Sequence, residues 1–180
     1  MRSTIHVVVV AFVWSLSLAP AARAAEDVQV SEVAVRTLGS QTILYREVET
    51  SLSELGEAVP PILQDLEKLV TDKKVVRAGD TIFIYQGLTQ DPTKKFKLQV
   101  SFAVLDGTEA QADFKVRKLE PFKCATVLHG GPLATIGRAY EKAFGGLAGK
   151  TPTGESREYF LHFEGVESPN NVQFVAVGVK

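Results

Sequence analysis

The chain has 180 residues, 45% of them hydrophobic, and its 20 basic and 21 acidic side chains give a formal charge of −1. That balance excludes the basic footprint of a nucleic-acid-binding domain. A single cysteine, Cys124, excludes an internal disulfide, so the fold must rest on an apolar core, which a chain of this length can supply.

Arg2 gives a positive start, and Val7 to Ala19 form an apolar run broken only by Ser15 and Ser17. Pro20 ends that run, and Ala22-Arg23-Ala24 places small residues where signal peptidase reads. The segment predicts a cleaved secretory signal at residues 1–24 and a periplasmic or secreted chain over residues 25–180. The competing reading is an uncleaved anchor, for which the apolar run is short. Cleavage removes Arg2 and Arg23 and leaves 18 basic against 21 acidic residues, a net −3. No later apolar stretch is long enough to cross a membrane, so no stable span is expected after cleavage.

Val28 to Leu38 and Gln41 to Val48 read as extended segments joined by Gly39-Ser40. Leu52, Leu55, Val59, Ile62, Leu63, Leu66, Leu69 and Val70 then place one apolar face at helical spacing, with Ser51 and Glu54 as a capping box. Pro60 and Pro61 predict a kink or a short first turn. Thr81 to Tyr85 and Phe96 to Val104 follow as strands around the turn Gln90-Asp91-Pro92.

The second half repeats this order. Phe114 to Leu119 and Phe122 to Leu128 are strand-like, and Leu133, Ile136, Tyr140, Ala143, Phe144 and Leu147 form a second helical face. Each of these six lies 81 residues after Leu52, Leu55, Val59, Ile62, Leu63 and Leu66. The same shift superposes Val35 on Val116, Arg36 on Arg117, Leu38 on Leu119, Gly56 on Gly137 and Ala58 on Ala139. Arg157 to Phe163 and Val172 to Val179 complete the copy as strands. Two amphipathic helices share a period by nature, but the matched strand and glycine positions point to duplication. The expected fold is α+β: two strand–helix–strand–strand units, residues 25–106 and 107–180. They would form one antiparallel sheet layer, with two helices on one face and a concave ligand cleft on the other.

The segment Val127-Leu128-His129-Gly130-Gly131-Pro132-Leu133, running into Ile136-Gly137-Arg138-Ala139-Tyr140, resembles the His-x-Gly-Pro motif of GyrI-like domains. Ser156-Arg157-Glu158-Tyr159-Phe160-Leu161 is similar to that family's Arg-Glu-x-Tyr-Leu strand, and Ile84-Tyr85 to its Ile-Tyr strand. Val177-Gly178-Val179-Lys180 resembles the terminal strand, with Gly where Pro is usual. The resemblance covers the mature chain and implies a domain that binds small organic molecules, often amphipathic or cationic. Relatives include effector-binding halves of regulators, stand-alone binders, gyrase inhibitors and some hydrolases. With a signal and no helix-turn-helix before the domain, the stand-alone binder fits best. The distantly similar SOUL haem-binding proteins share the duplicated layout.

Strand alternation puts Glu158, Phe160 and His162 on one face, and Phe83 and Tyr85 are the first-copy counterparts of Glu158 and Phe160. The resemblance implies that Glu158 faces the ligand. An acid among aromatic rings attracts a cation by charge and by ring quadrupole; desolvated, it would act as a general acid or base. The competing reading pairs Glu158 with a Lys or Arg and leaves Phe83 and Tyr85 as core. The last strand, where the family often carries a second acid, has none from Gln173 to Val177, with Phe174 near the matching place. A hydrolase would therefore depend on Glu158 alone. His129 reads as structural, Gly130, Gly131 and Pro132 as the turn into the helix, and Cys124 as core. His129 and His162 do not supply a structural zinc set, though one histidine suffices as a haem ligand. No metal or other cofactor is expected.

Overall fold

The structure is a computed structural model that describes residues 28–147 and 149–180; the expected signal, residues 1–24, lies outside them. The first series is β1 (Gln29–Val30), β2 (Ala34–Leu38), β3 (Gln41–Thr50), α1 (Leu55–Thr71), β4 (Arg77–Gln86) and β5 (Phe96–Val104). The second is β6 (Lys115–Leu119), β7 (Phe122–Gly130), α2 (Gly137–Gly145), β8 (Pro152–His162) and β9 (Val172–Val179). A short 3-10 turn leads into each helix, at Leu52–Glu54 and Leu133–Thr135. No helix among the described residues is long and apolar enough to cross a membrane.

Local chemistry accounts for most boundaries. The Glu54 carboxylate accepts the Ser51 N–H at 3.2 Å, the expected capping contact. α1 runs unbroken through Pro60 and Pro61, because the carbonyls they leave unpaired belong to its half-buried or exposed first turn. The first extended segment is split in two. At the break, Ser31 bonds Leu128 through both its N–H and its hydroxyl, each at 2.9 Å, and so replaces the strand ladder.

The strands form one antiparallel sheet in the order β1-β7-β9-β8-β4-β5-β3-β6, with β2 also on β7. The triplets β3-β5-β4 and β7-β9-β8 are the two copies, joined where β4 pairs with β8. Their leading strands are exchanged: β2 pairs with β7, and β6 with β3. The ladders carry the duplication in their register. Ala34 faces Thr126, and Lys115 faces Tyr45, which is the same pair shifted by 81 residues with the copies swapped. Past the helices the offset is 75: Ile84 faces Gln99, and Tyr159 faces Phe174. The second copy is shorter through its helical segment.

The exchange also shapes the sheet. β2 lies on β7, yet only Gly39 and Ser40 connect it to β3 near the opposite edge, so the sheet must curl. Ile43, Ile82, Ile84, Leu119, Phe122, Cys124, Tyr159 and Ala176, from six strands, meet as one buried cluster on the concave face. That face is thus filled over most of its length. It leaves a shallow pocket of ≈ 390 Å³ at the β2–β3 end, lined by Leu38, Gly39, Ser40, Gln41, Tyr159, Leu161 and Phe174.

The helices share the other face. α1 buries Val59, Ile62, Leu66 and Leu69 over β3 and β5. α2 brings Ala139 and Ala143 against Val127, Val175 and Val177 on β7 and β9. Their small side chains let α2 sit close to the sheet. The central strands β4 and β8 therefore floor a trough between the helices.

Gly178 meets a steric demand on the concave side. A Cβ there would lie 2.8 Å from the Phe122 ring and closer still to Thr153 Oγ1. The Phe122 ring carries the Arg157 guanidinium 3.8 Å from its centroid, so it has little freedom to retreat. Gly178→Ala is expected to cost about 1–3 kcal/mol of overpacking, read as a lower urea midpoint with an unchanged m-value.

Candidate functional site

Antiparallel pairing of the central strands sets the site. Phe83 lies directly opposite Glu158, and Tyr85 opposite Ser156. Phe83, Tyr85 and Glu158 point into the trough between the helices rather than to the concave face, because Phe83 and Tyr85 belong to the cluster beneath α1 and Glu158 bonds Tyr85. The Tyr85 hydroxyl donates to Glu158 Oε2 at 3.0 Å. From α2, the Tyr140 hydroxyl donates to Oε1 at 2.8 Å. Each carboxylate oxygen thus receives one phenol.

Glu158 is 6% exposed, and among the described residues it forms no ion pair. Burial pushes its pKa up to about 7, while the hydrogen bonds from Tyr140 and Tyr85 oppose that rise. Both phenols are held well above the usual tyrosine range, by desolvation first and then by the adjacent carboxylate. The competing expectation, a Lys or Arg partner at a strand edge, is not what surrounds this acid.

Aromatic rings enclose the pair. Phe160 packs on Phe83 at 4.7 Å between centroids, and Tyr85 on Phe96 at 5.8 Å. At the outer rim, Phe163 meets Phe160 edge-on at 6.0 Å, and Phe144 stacks with Tyr140 at 6.4 Å. Phe144 and Phe163 are 49% and 50% exposed, an apolar collar over a buried acid. The trough is closed by the protein's own side chains.

His162 departs from the expected array. The register between β8 and β9 slips between Phe160 and His162, which ends the alternation that would align it with Glu158. His162 is exposed and its Nε2 lies 3.1 Å from Glu164. Phe163 takes the place beside Phe160 instead. On β9 the residue opposite Glu158 is Val175; Phe174 packs against Tyr159 on the other side of the sheet.

His129 is fully buried, with Nδ1 2.7 Å from the Gln173 side chain and Nε2 2.8 Å from Thr135 Oγ1. Thr135 in turn donates to the Pro132 carbonyl at 2.7 Å. Both ring nitrogens are engaged, so His129 locks the turn into α2 and offers none to a haem iron. Cys124 is buried and burial pushes its thiol up to about 11, which suits a core residue and not a nucleophile. The described residues contain no group of three or more His, Cys, Asp and Glu placed to hold a metal ion.

Tyr140 is the site residue that pattern reading passed over. Its signal was present: it stands where the first copy has Val59, a hydroxyl on an otherwise apolar stripe. Such a hydroxyl needs a partner when buried. The other mismatch, Glu158 for Phe83, is that partner.

No family model and no curated protein matches the sequence. Solved structures do share the fold. The chain aligns with the C-terminal domain of EcmrR at TM-score 0.69 and 15% identity, covering 83% of this chain and 97% of that one. In the EcmrR–DNA complex the match spans 57% of the EcmrR chain and 85% of this one, at 16% identity and TM-score 0.69. SAV2435 bound to tetraphenylphosphonium aligns at TM-score 0.59 and 12% identity, covering 83% of this chain and 94% of that one. A hydrolase encoded by lin2189 from Listeria innocua aligns at TM-score 0.60 and 11% identity, over 83% and 92% respectively. At these identities the likeness is one of fold.

Proposed function

We propose that the protein is an exported, stand-alone binder of a small amphipathic or aromatic cation, held between the two repeats with Glu158 as its counter-charge. The observation that carries this reading is a buried carboxylate whose partners are two phenols and whose roof is exposed phenylalanine. A cation that parts this roof gains a full negative charge in a low-dielectric, ring-lined site. The phenols would steer rather than neutralise the carboxylate. The GyrI-like motifs and the tetraphenylphosphonium bound by SAV2435 support the same class of ligand.

The test is calorimetric titration of residues 25–180 with tetraphenylphosphonium at pH 8. Saturable binding is expected, weakened at least tenfold in Glu158→Gln. Equal affinity in the two proteins would refute the role of Glu158. Hydrolysis of small reactive molecules is the second reading, favoured by a carboxyl poised near neutrality. Val175 stands where a second acid would face Glu158, so any such chemistry must use one acid and its phenols.

A further inference from the structure

The two sides of the seam where the leading strands are exchanged differ, although the duplication makes them counterparts. Phe122, paired with Leu38, fills one side, 9% exposed beneath the Arg157 guanidinium. Gln41, the residue 81 positions earlier and paired with Leu119, occupies the matching place on the other side. Its amide does not fill the space, and the ≈ 390 Å³ pocket remains. That volume lies within the range of small-molecule sites.

We propose that this pocket is a second ligand site, taking a small aromatic carboxylate. Apolar walls come from Leu38, Leu161 and Phe174. The Gln41 amide donates to the Tyr159 phenol oxygen at 3.3 Å. The phenol's own proton has no acceptor among the described residues, so it is available to a ligand oxygen in the pocket that Tyr159 lines.

Positive charge flanks this donor. Arg36, exposed and on the same face of β2 as Leu38, lies over the Phe174 ring at 5.8 Å. Arg157, two residues from Tyr159 on the same face of β8, spends Nε and Nη2 on Glu155 at 2.7 Å each, while its buried Nη1 has no partner. The lining residues themselves carry no charge. A flat ring between Leu38 and Phe174, with its carboxylate toward Tyr159 and Arg36, would meet donors of the right sign. Glu158 faces the trough from the neighbouring position of the same strand, so the two faces of β8 would select opposite charges.

The probe is 1-naphthoate, followed by its fluorescence on titration with residues 25–180; 1-naphthylmethanol and 1-naphthylmethylammonium serve as comparators. Naphthoate is expected to bind at least tenfold more tightly than either comparator. Gln41→Phe, which places on this side of the seam the ring that fills the other side, should weaken naphthoate at least tenfold with an unchanged urea midpoint. Arg36→Glu alters an exposed side chain and should remove the preference for the acid over the alcohol, with the urea midpoint of the variant measured alongside. No saturable naphthoate binding, equal binding of the alcohol, or affinity unaffected by Arg36→Glu would each overturn the proposal.

Discussion

Glu158→Gln is expected to stabilise the protein at pH 8 while weakening its hold on a cation. Glu158 binds its proton more tightly in the folded chain than in the unfolded one, with a pKa of about 7 against an ordinary 4.5. Stability from this group is therefore fully present below pH 4.5, falls as pH rises through 7, and is flat above. The window of roughly 2.5 units corresponds to about 3 kcal/mol at 1.36 kcal/mol per unit. Glutamine has no charge to desolvate and can still meet one phenol with its carbonyl. The stability difference between variant and parent should thus grow by about 3 kcal/mol between pH 4.5 and pH 8. Urea denaturation at both pH values measures it. Taking the difference cancels the other titrating groups, including Glu164, which its hydrogen bonds from Asn170, His162 and Ser168 hold down at about 2. A constant difference across that range would mean that the carboxylate is not desolvated.

The second large effect lies in ligand affinity. A cation pairs with the ionised carboxylate, so below pH 7 binding must first expel the proton that Glu158 carries. The groups facing it are Tyr85 from β4 and Tyr140 from α2, both held protonated far above this range. The dissociation constant for tetraphenylphosphonium should then fall about tenfold for each unit of pH between 5 and 7, and level off above. Across pH 5 to 8 the change is about 100-fold, with a proton released on binding at the acid end. Calorimetry in two buffers of different ionisation enthalpy counts that proton directly. An affinity that stays level from pH 5 to pH 8 would sever Glu158 from the ligand.

Both predictions rest on a pairing that the sequence half displays. The periodicities placed both helices and the paired strands, because amphipathic faces at period 3.6 and 2 survive in a single chain. The offset of 81 residues exposed the duplication, and the counterpart relation of Phe83 to Glu158 held in the ladder. Sidedness was not legible. Alternation groups Glu158 with Phe160, but whether that group faces the helices depends on how β4 and β8 join, a contact between halves. The slip at Phe160 and His162 is likewise a property of two strands together, invisible in β8 alone. Tyr140 was legible in principle: the two places where matched faces trade an apolar residue for a polar one, Val59 to Tyr140 and Phe83 to Glu158, are bonded to each other. In a duplicated fold, paired departures from the repeat are a guide to the site.

The exchange of leading strands has a consequence in time rather than in space. The Thr126 hydroxyl donates to the Ala34 carbonyl across 92 positions of sequence, and β9, which follows both in the chain, lies between β7 and β8. Neither repeat can settle its edges before the other has been synthesised. Such nonlocal closure slows folding. The finished sheet waits on β9, which enters between two strands that precede it in the chain.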